Sequence, residues 1–280
     1  MTTALGSTTT AYLDRIGVDP GPPDAGLLAR IVRAHLAVIP FENLDPFTGT
    51  EPPVTADDVA AKLVHGRRGG WCFEQNLLLH DVLADLGYRV EPLIGRVRLG
   101  AAPEDPPTRR SHRLTLIDLD GQWVTADVGF GGMNAVLPLR LETGTVQPTP
   151  FGGYRYTVDD PGGPATPVWS LRRTGSGGEQ VLYTFDLTPA PAVDYETASW
   201  YLTHHPESLF RTGLTAAVTG PDRRTTLDGP RLTVHPAGGE AHARELASPV
   251  AVRDALEDVF GIDTGTVPGL TGRIAEVYFS

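Results

Sequence analysis

Residues 72–88 read CFEQNLLLHDVLADLGY, and the pattern of the chain changes at their end. Apolar side chains repeat on one side of a predicted helix, at Leu79, Val82, Leu83 and Leu86. Gly87 is a typical residue to end a helix. Beyond it, short alternating segments separated by Gly, Pro and Asp predict strands to about residue 187. The sequence therefore predicts a helical part that ends near Gly87 and a barrel or sandwich that follows it.

Upstream of this helix, apolar spacing and capping residues predict further helices. The first is a short segment around residues 12–16. Asp24 can cap a second helix, which must end before Pro40 because a residue that precedes proline is disfavoured in the helical conformation. Thr55 with Asp58 three positions later is typical of a capping box that opens a third helix.

The C-terminal third returns to a mixed pattern. Residues 195–204 predict a helix, and residues 214–218 and 232–234 predict strands. Ser248 followed by Pro249 predicts the start of a final amphipathic helix that ends at Gly261. Helices and strands are thus segregated along the chain, as in an α+β protein.

The composition predicts a soluble protein. With 280 residues, of which 40% are hydrophobic, the chain can bury a sizeable core. No apolar run is long enough to span a bilayer, and the N-terminus lacks the basic and then apolar layout of a secretory signal. A net charge of -11 argues against nucleic acids and anionic membranes as partners. We therefore expect a cytoplasmic protein that binds neither.

Cys72 is the only cysteine, which excludes an internal disulfide and a cysteine-based metal cage. The adjacent histidines His204 and His205 do not form a chelating pattern either, so we expect no metal. Cys72 opens a predicted helix, where unpaired backbone N–H groups and the positive end of the helix dipole would stabilise a thiolate. A buried structural cysteine also fits this position, because free cysteine is among the most buried residue types.

A thiol nucleophile needs a base, and a predicted hairpin selects His112 among the eight histidines. Asp120-Gly121 is a strong signal for a two-residue hairpin turn. The register that it sets pairs Leu119 with Gln122, Leu116 with Thr125, Leu114 with Asp127 and His112 with Gly129. Asp127 then shares a face with His112 as a diagonal neighbour, close enough for its carboxylate to orient the imidazole.

This pairing also explains how a carboxylate is tolerated on an apolar face. Asp127 is predicted beside Leu114, Leu116 and Trp123, where an unpaired charge would be costly to bury. A hydrogen-bonded sheet histidine and a strand-end aspartate remain the alternative interpretation. Together Cys72, His112 and Asp127 supply a nucleophile, a base and an orienting carboxylate for acyl transfer, in a papain-like or transglutaminase-like arrangement.

Several segments combine into a specific set of motifs. They are Ile39-Pro40-Phe41-Glu42-Asn43-Leu44, Arg68-Gly69-Gly70-Trp71-Cys72-Phe73-Glu74-Gln75-Asn76, Asp127-Val128-Gly129-Phe130-Gly131-Gly132, Ala198-Ser199-Trp200-Tyr201, His205-Pro206-Glu207-Ser208 and Phe260-Gly261-Ile262. Together they resemble the arylamine N-acetyltransferases, particularly the bacterial ones. The resemblance implies an α+β fold with a helical bundle that delivers the cysteine (1–87), a β-barrel that delivers His and Asp (88–190), and a linking helix with a C-terminal α/β lid (191–280).

The resemblance also implies a reaction. Acetyl-CoA would transfer its acetyl group to the Cys72 thiolate, and CoA would leave. The nitrogen of an arylamine, arylhydrazine or hydrazide would then attack the thioester, which completes a ping-pong cycle without a metal. In this second step His112 would accept the amine proton and Asp127 would orient His112.

Further site residues follow from the same resemblance. The amine pocket of the family corresponds to Phe41, Val97 and Phe130, although core packing would also explain large apolar residues there. Three glycines would let the backbone approach the pantetheine or acyl group, or would serve a strained turn, at Gly129, Gly131 and Gly132. Arg67 and Arg68 could bind the phosphates of CoA, but a structural ion pair with Glu42 is the preferred interpretation.

Three other functions stay open at the level of sequence. A related amide synthase would use the same triad to release an aromatic-amine polyketide from its carrier protein as a macrolactam. A thiol peptidase or transglutaminase would act on peptides without CoA, and a non-catalytic binding protein could have kept the fold. Trp71 stands where the family more often has Tyr, and Arg98-Leu99-Gly100 lacks a common aromatic residue, so the acceptor is left undefined.

Overall fold

The computed structural model describes residues 5–102, 104–159, 162, 166–175 and 178–280. Its N-terminal part is mainly helical. The elements are α1 (Ser7–Ile16), α2 (Ala25–Val38), the short strand β1 (Phe41–Glu42), α3 (Leu44–Thr48), α4 (Ala56–Ala60) with a π-helical turn (Ala61–His65), and α5 (Cys72–Asp85). The predicted helix starts are confirmed, since Asp24 accepts a hydrogen bond from the Leu27 N–H at 2.7 Å and Thr55 accepts one from the Asp58 N–H at 3.3 Å.

A sheet of eight strands follows within the described residues. Its strands are β2 (Arg89–Val97), β3 (Arg110–Leu119), β4 (Gln122–Ala126), β5 (Leu139–Arg140), β6 (Gln147–Thr149), β7 (Gly152–Asp159), β8 (Val168–Gly175) and β9 (Gly178–Phe185), in the order β5-β4-β3-β2-β9-β8-β7-β6. The two edge strands are joined by a side chain. The amide of Gln147 donates to the Arg140 carbonyl at 2.9 Å and accepts from the Arg140 N–H at 2.8 Å, so the sheet forms a nearly closed barrel.

The C-terminal part is again mixed. It contains α6 (Ala192–His204), α7 (Leu209–Thr212), β10 (Thr215–Thr219), β11 (Arg223–Asp228), β12 (Arg231–Pro236), β13 (His242–Glu245), α8 (Pro249–Asp258) and α9 (Leu270–Tyr278). Ser248 caps α8 as predicted, through a 3.1 Å hydrogen bond from the Ala251 N–H. The expectation that this helix is the last one was wrong, because α9 follows it and buries Leu270 and Ile274 in the same apolar core.

The two sheets have different relations to the N-terminal helices. β1 pairs with β10, so the second sheet has the order β1-β10-β11-β12-β13 and includes a strand from the N-terminal part. The helices α1, α2 and α5 share a core with the outer side of the barrel at Ile117, Val124 and Ala126. The fold class is confirmed as α+β with a helical N-terminus and a barrel, whereas the division into three domains, at residues 87/88 and 190/191, stays a prediction.

Candidate active site

Cys72 is the first residue of α5 and is 3% exposed. The start of this helix is fixed by Glu74, whose carboxylate accepts a 3.0 Å hydrogen bond from the Trp71 N–H. The thiol of Cys72 lies 3.6 Å from the carbonyl oxygen of Ser111, the residue before His112. The sulfur therefore sits at the positive end of a helix dipole and against the strand that carries the predicted base.

The hairpin that delivers the base has the predicted turn and register. Asp120 and Gly121 both have positive φ values, 53° and 89°, as a type I′ turn requires. Pairs run from Leu119 with Gln122 to Thr115 with Ala126, where β4 ends. The two further predicted pairs are absent from this ladder of described residues, because the chain turns away after Ala126 towards α5. The side chain of Asp127 nevertheless reaches His112, and their Oδ2 and Nε2 atoms are 2.7 Å apart.

Burial and neighbouring charges shift the pKa of His112 in opposite directions. Burial lowers the pKa of His112, but the carboxylate of Asp127 and the neighbouring Cys72 sulfur outweigh burial and raise the pKa to about 10. Burial alone would raise the pKa of Asp127, yet the facing imidazole and its hydrogen bonds lower that pKa below the usual value. Nε2 of His112 is engaged by Asp127, which leaves Nδ1 as the ring nitrogen available to the thiol. The arrangement can hold a thiolate and imidazolium pair.

Asn76 supports the pair of His112 and Asp127, and it was not identified as a site residue from the sequence. Its amide donates to Asp127 Oδ1 at 2.9 Å and to the Arg113 carbonyl at 2.6 Å, and its oxygen accepts from the Val128 N–H at 3.0 Å. The Gly129 N–H also donates to Asp127 Oδ1, at 2.9 Å. The available signal was spacing, since Asn76 is four residues after Cys72 and so lies on the same side of α5.

The three predicted glycines lie where the chain packs closely against itself. A Cβ atom on Gly129 would lie 2.6 Å from Cys72 Cα and 2.7 Å from Asn76 Nδ2, so only glycine lets this turn reach the start of α5. Gly131 has a φ of 65° and lies against the ring of Phe41, and Gly132 lies against Thr226. These contacts support the turn-glycine interpretation, and a role in cofactor binding stays a prediction.

The three predicted pocket residues lie on different elements near His112. Phe130 is in edge contact with His112, with 5.0 Å between ring centroids. Phe41 is 8% exposed and contacts the glycine turn that follows Phe130. Val97 is half-buried at the end of β2 and pairs with Tyr183, whose ring centroid is 4.8 Å from that of His112. Tyr183 was missed by sequence reasoning because β9 is about seventy residues from His112.

Charged residues beneath the start of α5 form buried ion pairs. The expected pair of Arg68 with Glu42 is confirmed, with 2.8 Å between Nε and Oε1, and Arg68 also binds Asp45 at 2.8 Å. Lys62 joins Asp45 and Glu74, each at 2.6 Å. Arg68 is thus occupied within the protein, and its role is to support the helix that carries Cys72.

Arg224 connects the second sheet to the glycine turn. Its guanidinium donates to the carbonyl oxygens of Gly132 at 2.8 Å and Asn134 at 2.6 Å. His204, by contrast, lies away from the triad and contacts Glu51 at 3.1 Å. In the described part of the chain, no three His, Cys, Asp or Glu side chains are grouped as a metal site would require.

Similarity to known proteins covers most of the chain. Residues 24–267 match a family model described as N-acetyltransferase. An arylamine N-acetyltransferase of Mycolicibacterium smegmatis is 44% identical over 275 residues, which are 95% of this chain and 96% of that protein. An arylamine N-acetyltransferase / N-hydroxyarylamine O-acetyltransferase of Salmonella typhimurium is 34% identical, over 92% of this chain and 89% of that protein.

Solved structures agree with the sequence comparison. The structure of the Mycobacterium marinum arylamine N-acetyltransferase in complex with CoA matches with a TM-score of 0.90 and 41% identity, over 97% of this chain and 100% of that one. As for membranes, the helices of the described residues are too short or too polar to span a bilayer.

Proposed function

This chain belongs to the arylamine N-acetyltransferase family, and on that premise we propose that it transfers the acetyl group of acetyl-CoA to aromatic amines, arylhydrazines or hydrazides. The observation that carries the proposal is the 2.7 Å contact between His112 and Asp127 beside a cysteine at a helix start. The same proposal includes a ping-pong cycle through an acetyl-Cys72 thioester, in the cytoplasm.

In the first half of the cycle, the Cys72 thiolate attacks the carbonyl carbon of acetyl-CoA. The new bond joins the sulfur of Cys72 to the acetyl carbon, and the bond to the sulfur of CoA breaks. His112 then gives its proton to the departing CoA thiolate, which leaves the imidazole neutral. Asp127 keeps the ring oriented throughout, because its carboxylate holds Nε2 while Nδ1 exchanges the proton.

In the second half, the amine nitrogen attacks the acetyl carbon of the thioester. The neutral imidazole of His112 accepts the proton that the amine loses, and the Cys72 thiolate leaves. The product is an N-acetylated amine, and the thiolate and imidazolium pair is restored. We propose Phe41, Val97 and Phe130 as the apolar surface for the aromatic ring, and the turn at Gly129, Gly131 and Gly132 as the approach for the pantetheine arm.

The names of the relatives support this reaction over the alternatives. Relatives that match over nearly the whole chain include arylamine N-acetyltransferases, and one matching structure is in complex with CoA. A thiol peptidase or transglutaminase would need no CoA, and an amide synthase would need a carrier-bound acyl chain. The two alternatives differ from the proposal in the acyl donor, and so a donor assay separates them.

The test is turnover of acetyl-CoA with a panel of arylamines and hydrazides, with wild type and Cys72→Ala. We expect CoA release that depends on the acceptor in the wild type and falls to the uncatalysed rate in the variant. Without an acceptor, mass spectrometry should find one acetyl group on the wild-type peptide that contains Cys72.

His35→Gln serves as a matched control, because it alters a buried histidine outside the site. It should keep the acetylation of Cys72. If folded wild-type protein ignores acetyl-CoA with every acceptor, the proposal fails. If Cys72→Ala still acetylates the acceptor, the protein is an acetyltransferase, but Cys72 is not its nucleophile.

A further inference from the structure

A cleft lies between α5, β3 and α6, and the proposed reaction does not use it. Its cavity volume is about 50 Å³. The apolar side chains of Val54, Phe73 and Leu77 line it, and so do Arg113 and Tyr195. The cleft is thus a concave, mostly apolar site with a few polar groups, as small-molecule sites commonly are.

Arg113 is buried in this cleft without a direct contact to a carboxylate of the described residues, although the charge of Asp81 acts on it from a distance. It is 6% exposed, and no side-chain hydrogen bond or salt bridge reaches its guanidinium from the described residues; its Nε atom is buried without a hydrogen-bond acceptor. Its guanidinium carbon lies 4.4 Å from the centre of the Tyr195 ring. Arg68, which is equally buried, binds two carboxylates. A buried arginine without an anion is costly, and an anion from solution would satisfy it.

One other feature of the cleft favours an anion. The hydroxyl of Tyr195 is buried and has no hydrogen-bond partner among the described residues. Ala192, the first residue of α6, lies at the cleft, and Asp194 already places a carboxylate in the first turn of this helix. Glu196 also lines the cleft, on the exposed side of α6, and would repel a ligand of high negative charge.

We propose that this cleft binds a small apolar monocarboxylate, with the carboxylate on Arg113 and the Tyr195 hydroxyl and the apolar body against Val54, Phe73 and Leu77. A single charge fits better than a phosphate dianion, because Glu196 lies at the mouth. Arg113 is adjacent to His112 on β3, and successive side chains of a strand point to opposite faces, so the guanidinium lies on the other face of β3 from the imidazole. Cys72 packs in the same apolar cluster as Phe73 and Tyr195 of the cleft. The inference is independent of the acetyltransferase proposal.

Calorimetric titration with benzoate tests the proposal. Two samples are titrated, unmodified protein and protein alkylated at Cys72 with iodoacetamide, which blocks the proposed catalytic sulfur. We expect both samples to bind benzoate equally well. Benzamide, the neutral analogue, should bind much more weakly to both. Arg113→Met should weaken benzoate binding by about tenfold or more, as expected for the loss of a charge-assisted hydrogen bond.

Two variants complete the design. Arg109→Met is the matched control, because Arg109 is an exposed arginine over another tyrosine ring, at 4.1 Å from the centre of Tyr201; its binding should equal that of the wild type. Glu196→Gln should tighten binding. Absence of binding, loss of binding on alkylation, equal binding of benzamide, or unchanged affinity in folded Arg113→Met would each overturn the proposal. If Arg113→Met does not fold, an unchanged affinity in Glu196→Gln overturns it.

Discussion

His35 and His112 are two buried histidines, 0% and 1% exposed, whose pKa values are shifted in opposite directions. His35 lies in the helical core, where the Tyr12 hydroxyl donates to Nδ1 at 2.8 Å and Nε2 donates to the amide oxygen of Gln75. Both partners are neutral. Burial lowers the pKa of His35 to about 4, and the hydrogen bond to Gln75 only partly offsets that effect.

His112 is as deeply buried but faces a carboxylate. Asp127 reverses the effect of burial, and the pKa rises to about 10. The contrast teaches that burial alone does not decide in which direction the pKa of a histidine is shifted in this protein. The charged partner Asp127, itself held by Asn76 and Gly129, is what distinguishes the proposed active-site histidine from the histidine of the helical core.

The largest expected effect is the separation of the two pKa values. In an NMR titration of the histidine ring carbons and nitrogens, His112 should stay protonated up to about pH 10, and His35 should stay neutral down to about pH 4. Variants His35→Gln and His112→Gln assign the two signals. Two histidines that titrate together near the ordinary value of about 6.5 would remove the contrast altogether.

Removal of the charged partner should break the active site and leave the core intact. Asp127→Asn keeps the shape of the side chain. The uncharged amide cannot stabilise the imidazolium of His112 or fix the tautomer of the neutral ring. We expect kcat/KM for arylamine acetylation to fall by about 10³- to 10⁴-fold, the size of effect that an orienting aspartate has in related triads. His35→Gln, the matched change in the core, should keep near wild-type kcat/KM. Comparable losses in both variants would contradict the distinction.

The sequence predicted the surroundings of His112 better than those of His35. The Asp120-Gly121 turn and the alternation of β3 and β4 were sufficient to bring His112 and Asp127 together, because a two-residue turn sets the register of both strands. Trp123 was expected on the buried face beside Asp127 but is 41% exposed, since it lies near the turn end of the hairpin. The alternation was therefore reliable in the middle of the hairpin and not at its end.

Contacts between distant segments were beyond sequence reasoning. The strand β1 has only two residues, and its partner β10 follows some 175 residues later, so no local pattern reveals it. Gln75 and Asn76 show the same limit within one helix. They are neighbours on α5, yet Gln75 turns to His35 and Asn76 to Asp127, because the side chains of adjacent helical residues point about 100° apart. Which histidine each one serves depends on what packs against α5.

The neutral state of His35 has a consequence for acid stability. Unfolded histidine takes up a proton near pH 6.5, whereas folded His35 does so near pH 4. Between these values the unfolded state binds more protons, so stability is lost as pH falls, by about 2 kcal/mol from pH 7 to pH 5. Urea unfolding of the wild type and of His35→Gln at both pH values isolates the contribution of His35 to this loss of unfolding free energy. The variant should lose about 2 kcal/mol less than the wild type on acidification, and parallel losses would show that His35 is not neutral in the fold.

The smallest expected effect concerns the two neighbours on α5. Asn76→Ala removes one of the hydrogen bonds to the Asp127 carboxylate and should lower kcat by about tenfold, the effect of one hydrogen bond to a charged group. Gln75→Ala removes no contact to His112 or Asp127, but it deprives His35 of an acceptor and the Pro40 and Gly70 carbonyls of a donor. It should therefore cost about 1–3 kcal/mol of unfolding free energy with little change in kcat. Each variant is the control for the other, with kcat and urea unfolding measured on both. If Gln75→Ala lowered kcat as much as Asn76→Ala does, the neutral chain of Tyr12, His35 and Gln75 would be part of the catalytic support, and charge would no longer divide the two regions.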